Sequence, residues 1–187
     1  MIMRFLYAIH MAYHYRQALR LYTQAACRDR VTNLTEITLA WLQQRGIETL
    51  VLDFDGVLAE HGATKPLPEI ETWLNHIYAV IPLYVLSNKP LPARKLYFQT
   101  RYPNLTWVAA PRKKPYPDGL IQITKLTSKP SNTIALVDDR LLTGILATKL
   151  ANTQGIYVTH PCANFKKRPL TESFFAMLRF LERWVFV

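Results

Sequence analysis

Cysteine is almost absent from this chain. Two in 187 residues, Cys27 and Cys162, argue against a disulfide framework and point to a reducing, cytoplasmic setting. Long apolar runs are missing as well, since no stretch offers the ~18 charge-free apolar residues that a membrane span requires. Arg4, His10, His14, Arg16 and Arg20 interrupt any secretory signal core, and Gln24 spoils Gln24-Ala25-Ala26-Cys27 as a lipoprotein cleavage site. Internal repeats and low-complexity tracts are lacking. Acidic residues are scarce, 13 against 23 lysines and arginines, and the formal charge of +10 favours anionic partners: phosphate esters, anionic lipid or nucleic acid. The cation clusters Arg112-Lys113-Lys114 and Lys166-Lys167-Arg168 are of a kind that usually lies on solvated loops, so neither alone specifies a partner.

What is present is apolar and alternating. Half of the residues are hydrophobic, enough for one good core. Strand-like and helix-like segments alternate from about residue 34, which predicts an α/β class with a three-layer α/β/α open parallel sheet. Strands are expected over 49–52, 81–86, 105–109, 133–137 and 156–158. Asn33 or Thr35 should cap a helix running to about Gln44, stopped by Gly46. Further helices are expected over 68–79, 92–100, 118–126, 141–152 and 170–187. In the last, Phe174, Met177, Leu178, Leu181 and Val185 share a face with Arg179, Glu182 and Arg183 opposite, and the apolar face is expected to pack inward. Over residues 1–22, Phe5, Leu6, Tyr7, Ile9, Tyr13 and Tyr15 mix with cations and form no single clean face; packing and contact with a membrane or partner both stay open there.

Chemistry concentrates at strand ends. The first run delivers Asp53-Phe54-Asp55-Gly56-Val57, two aspartates one residue apart entering a glycine turn. At a strand's carboxyl end such a pair can converge on one small volume, which suits Mg²⁺ and a phosphoryl group. A strand followed by a polar turn is the competing reading. The second run ends in Ser87-Asn88-Lys89 and the run over 133–137 ends in Asp138-Asp139, with Lys114-Pro115 between them. An open parallel sheet would gather these groups at its carboxyl edge. His61 reads as a loop residue rather than a catalyst.

Taken in this order, the residues resemble the four motifs of the haloacid dehalogenase superfamily of phosphatases: Asp53-Phe54-Asp55-Gly56-Val57 the first, Ser87 the second, Lys114 the third and Asp139 the fourth. The flanks Asn33-Leu34-Thr35-Glu36-Ile37, Leu42-Gln43-Gln44-Arg45-Gly46-Ile47-Glu48 and Pro169-Leu170-Thr171-Glu172, with Asp139-Arg140-Leu141-Leu142-Thr143, are similar to subclass IIIA, the branch of the YqeG-like phosphatidylglycerophosphate phosphatases. The resemblance spans roughly residues 30–183. It departs from the branch at Asp138, where glycine is usual, and at Gly144, where a second acid is usual.

The resemblance implies a Rossmann-like fold of the capless type, which the 28 residues between Leu58 and Ser87 also favour, being used up by one helix and one strand. It divides the chain into an N-terminal amphiphilic helical segment (1–29) and a phosphatase domain (30–187). By resemblance Asp53 is the nucleophile, Asp55 the acid and base, and Lys114 the cation that balances transition-state charge. Ser87, Asn88 and Lys114 bind phosphoryl oxygens, while Asp53, Asp139 and the backbone carbonyl of Asp55 hold Mg²⁺, with Asp138 a weaker candidate. The implied partner is a phosphorylated substrate, with phosphatidylglycerophosphate favoured, peripheral contact with an anionic membrane open, and nucleic acid not favoured. Two alternatives remain: a phosphatase of a soluble or macromolecular ester, and a degenerate fold that only binds.

Overall fold

The computed structural model describes residues 2–186, so Met1 and Val187, the outer ends of two expected segments, lie outside the described residues. Six strands, β1 (Arg30–Val31), β2 (Thr49–Leu52), β3 (Leu83–Val85), β4 (Thr106–Trp107), β5 (Ile134–Asp138) and β6 (Gln154–Val158), form one parallel sheet in the order β1-β6-β5-β2-β3-β4. Every residue of β2 and β5 is buried, as central strands covered on both faces must be. Among the described residues eight α-helices accompany them: α1 (Ile2–His14), α2 (Arg16–Leu21), α3 (Leu39–Gln43), α4 (Pro68–Ile77), α5 (Pro92–Arg101), α6 (Asp118–Thr127), α7 (Leu146–Ala151) and α8 (Pro169–Phe186).

Strand alternation divides the apolar interior into two layers. Leu50 and Leu52 share a cluster with Trp73, Leu74 and Ile77 of α4 and Phe98 of α5, whereas Val51 belongs with Leu120 and Ile123 of α6 and Ala147 of α7. Helices therefore cover both faces, the three-layer α/β arrangement expected, and no inserted cap separates β2 from β3. A third cluster joins Ala12, Leu19 and Tyr22 to Leu141, Ile145, Leu146 and Tyr157, so the N-terminal helices share apolar contacts with the segment that follows β5.

Three expectations are corrected. The helix expected up to Gln44 is two pieces, a 3₁₀ turn over Leu34–Glu36 capped by Asn33 and then α3 capped by Thr38. Between them Ile37 is extended and fully buried, and its carbonyl accepts a 2.7 Å hydrogen bond from Trp73 Nε1, which helical geometry would forbid. The helix expected over 141–152 opens as a π-helical turn, Leu141–Ile145, before α7. The third concerns α8: its charged residues face inward, with Glu172, Arg179 and Glu182 buried, while Phe174, Met177, Leu181 and Val185 are exposed. Among the described residues, no helix is long and apolar enough to cross a membrane, and both cysteines are free thiols.

Candidate active site

β2 lies between β3 and β5, and the chain leaves it toward β3 on one side and later returns to β5 on the other. A crevice opens at the carboxyl ends of strands at such a reversal. The backbone ladder runs one residue further there: Asp53 N donates to Val137 O at 3.0 Å, which fixes Asp53 beside the end of β5. Leu86 N donates to Leu52 O at 3.0 Å, which sets Ser87 on the other flank. Gly56, at φ 89°, turns the chain beneath Asp139; a Cβ there would lie 2.6 Å from Asp139 Oδ2.

Lys114 joins the two strand ends. Its Nζ lies 2.9 Å from Asp53 Oδ1 and 2.5 Å from Asp138 Oδ2. Asn88 fastens the backbone that carries it: Lys114 N donates to Asn88 Oδ1 at 2.8 Å, and Asn88 Nδ2 donates to Lys114 O at 3.3 Å. Ser87 Oγ accepts from Lys89 N at 3.1 Å and borders, with Asn88, Lys113 and Lys114, a cavity of about 100 Å³.

Carboxylate oxygens of Asp53, Asp138 and Asp139 lie within 4.8 Å of one another, close enough to hold a metal ion. Three carboxylates face two cations, Lys114 and Arg179, whose Nη1 is 2.7 Å from Asp139 Oδ2. An all-oxygen set with surplus negative charge suits Mg²⁺ rather than a softer metal. Burial lifts Asp53 to about 6, against the pull of Lys114 and with a further push from Asp138. Asp139 is likewise lifted to about 6, by burial first, with Arg179 opposing and Asp53 adding to the rise. Burial raises Asp138 too, although Lys114 opposes it. Burial alone would lower the Lys114 ammonium, but Asp138 and Asp53 outweigh it and hold the amine above its ordinary value.

Of the residues read from sequence, Asp53, Lys114 and Asp139 meet, and Ser87 and Asn88 stand beside them. The Asp55 carboxylate turns aside. Arg94 grips it with Nη2 to Oδ1 at 2.6 Å and Nη1 to Oδ2 at 2.9 Å, and Gly62 N donates to Oδ1 at 3.1 Å. Arg94 itself is fully buried, stacked 3.9 Å over the Phe54 ring, and donates to the carbonyls of Ala63 and Lys89. His61 is buried and structural in its contacts: Nδ1 lies 2.9 Å from Glu172 Oε2, and the ring stacks 4.0 Å from Phe175.

Three members of the site escaped or were under-weighted by sequence reasoning. Arg94 sits one turn before Phe98, the buried aromatic of α5, and that i, i+4 spacing was its available signal. Arg179 was assigned to the solvent face of α8. Asp138 carries the third carboxylate where its counterpart was expected at position 144; a Cβ on Gly144 would lie 2.0 Å from Asp138 Cγ, so the Asp138 side chain occupies the space that a residue 144 side chain would enter.

No protein-family model matches the chain, and no curated protein matches it by sequence. Among solved structures it is similar to a haloacid dehalogenase-like family hydrolase from Streptococcus pneumoniae, with a TM-score of 0.50 and 11% identity over 64% of this chain and 88% of that one. An uncharacterized protein from Listeria monocytogenes serotype 4b is similar at a TM-score of 0.51 and 12% identity, covering 66% of this chain and 86% of that one. At such identities the likeness is one of fold. The chain has the fold of a haloacid dehalogenase-like hydrolase, with its carboxylate cluster at the carboxyl edge of the sheet.

Proposed function

We propose that the chain is a Mg²⁺-dependent phosphomonoester hydrolase that works through an aspartyl-phosphate. The observation that carries this reading is the Asp53 carboxylate, held 2.9 Å from Lys114 at the reversal point of a parallel sheet and within 4.8 Å of Asp138 and Asp139. Asp53, Asp138 and Asp139, with the backbone carbonyl of Asp55, would hold Mg²⁺, which when bound supplies positive charge that offsets repulsion between a carboxylate and a phosphate dianion.

Asp53 forms a bond to phosphorus as the ester oxygen departs in line; water then attacks phosphorus, frees inorganic phosphate and restores the carboxylate. Lys114 neutralises charge that builds on the phosphoryl oxygens, and Ser87 and Asn88 line the cavity that receives them. Asp55 is assigned the proton transfers. Both of its oxygens accept from Arg94, so each transfer requires one arm of the fork to open.

The favoured substrate is phosphatidylglycerophosphate reached from the cytoplasmic side of a bilayer. Support comes from the sequence resemblance, the +10 charge and a site with no cap over it. A second reading, a fold that binds an anion without turnover, is favoured by the Arg94 fork on Asp55 and by Arg179 on Asp139. A substrate panel with and without Mg²⁺, including phosphatidylglycerophosphate in mixed micelles beside soluble esters, separates the two. Metal-dependent turnover abolished by Asp53→Asn, with unchanged circular dichroism, is the expected result; turnover that survives the substitution in a clean preparation rejects the nucleophile.

A further inference from the structure

α8 is inside out relative to an ordinary amphipathic helix. Glu172 meets His61, Arg179 meets Asp139, Glu182 meets Arg140 and the Leu141 N–H, and Arg183 meets the Tyr157 hydroxyl. What remains outside is apolar: Phe174, Met177, Phe180, Leu181, Trp184 and Val185 are exposed, Phe180 at 66% and Trp184 at 71%. α1 presents a similar surface through Met3, Phe5, Leu6, Ile9 and Tyr13. Both helices pack on the Leu141–Ile145 turn, and each touches the active site. Tyr7 of α1 stacks 4.3 Å from Tyr116, two residues beyond Lys114, while Arg179 of α8 reaches Asp139. Exposed apolar surface on this scale marks an interaction site.

Charge selects the occupant. Residues 1–28 contain Arg4, Arg16, Arg20 and Arg28 and no Asp or Glu. Just before α8, Phe165, Lys166, Lys167 and Arg168 are all exposed, and both glutamates of α8 are buried. The apolar surface is bordered by an excess of cations, Lys167 lying 3.9 Å from the partly exposed Glu60, so a second copy would bring like charges together. It is complementary to anionic headgroups lying over hydrocarbon, into which Phe and Trp side chains can insert. We propose that the outer faces of α8 and α1 dock the protein on an anionic lipid bilayer, holding the active site at the headgroup layer. The substrate side of this idea rests on the phosphatase reading; the docking itself does not.

Sedimentation of the full chain with phosphatidylcholine vesicles, with and without phosphatidylglycerol, tests it at low and high salt. Binding to the anionic vesicles should be at least about tenfold tighter and should weaken as salt rises. Phe180→Asp with Trp184→Asp should lose about tenfold or more, and Lys166→Glu about tenfold. Phe180, Trp184 and Lys166 are exposed and none belongs to the site, so every variant should keep the wild-type melting curve and the wild-type rate on a small aryl phosphate. Equal affinity for both vesicle types, no binding at low salt, or a dimer that the Phe180→Asp, Trp184→Asp variant dissolves would overturn the proposal. Vesicle binding by a wild-type chain that hydrolyses no ester sustains the docking and removes the phosphatase reading, and hydrolysis without binding does the reverse.

Discussion

A Cβ at position 144 would lie 2.0 Å from both Cγ and Oδ2 of Asp138, closer than non-bonded atoms approach, and the neighbour it meets is anchored. Asp138 Oδ2 is held by Lys114, and its Oδ1 accepts from Arg140 N at 2.9 Å. The Asp138 carboxylate therefore fills the space that a side chain at position 144 would need, and glycine at 144 leaves room for it. Gly144→Ala should then destabilise the protein by about 2 kcal/mol, read from urea denaturation, through overpacking at a rigid polar site. Gly144→Asp alone should do worse, since it adds a fourth acid to the cluster. Combining Gly144→Asp with Asp138→Gly should recover most of the stability and the thermal shift on adding Mg²⁺. A Gly144→Ala protein that unfolds like wild type would show that the contact is relieved cheaply.

Helix α8 shows which level of structure was legible in sequence. Its division into a charged and an apolar face follows from spacing alone, and that division is correct. Which face turns inward does not follow, because the usual rule assumes an apolar interior, and here the helix lies over acids and backbone groups at the carboxyl edge of the sheet. Asp139 Oδ2, Arg140 and the Leu141 N–H need charged partners, and α8 supplies Arg179 and Glu182. The break at Ile37 was hidden for a related reason: Trp73 Nε1, remote in sequence, claims its carbonyl. The main sheet and the acids at its edge were legible because buried strand runs and their Asp-rich ends are local signals. Among these contacts Arg179 is the one whose removal should do more than loosen the helix. Arg179→Gln leaves Asp139 buried near Asp53 and Asp138, and should cost about 3 kcal/mol in EDTA. It also removes a cation that competes with a divalent ion, so the stabilisation gained on adding Mg²⁺ should be larger than in wild type. An equal Mg²⁺ increment in the two proteins would reduce Arg179 to a helix anchor.

At the scale of the whole molecule, two electrostatic effects oppose each other as pH falls. The chain already carries a formal charge of +10, and protonating carboxylates and histidines adds to its self-repulsion, which favours unfolding. Against this stand Asp53 and Asp139, each lifted by burial from 3.8 to about 6 in the folded chain. Above about pH 6 both groups are ionised whether the chain is folded or not, and the folded state bears the full cost of burying them. Between about 6 and 3.8 the folded state holds more protons than the unfolded one, so stability from these groups rises as pH falls through that window. The self-repulsion is spread over a surface and screened by salt, whereas the cluster is buried and screened little. The local effect should therefore prevail at moderate ionic strength. In EDTA the melting temperature should climb on acidification from neutral pH to just below 6, and the climb should shrink with Mg²⁺ present, because the ion competes with protons for the same oxygens. A melting temperature that stays flat or falls over that interval in EDTA would mean that the three acids are not buried together as the site requires.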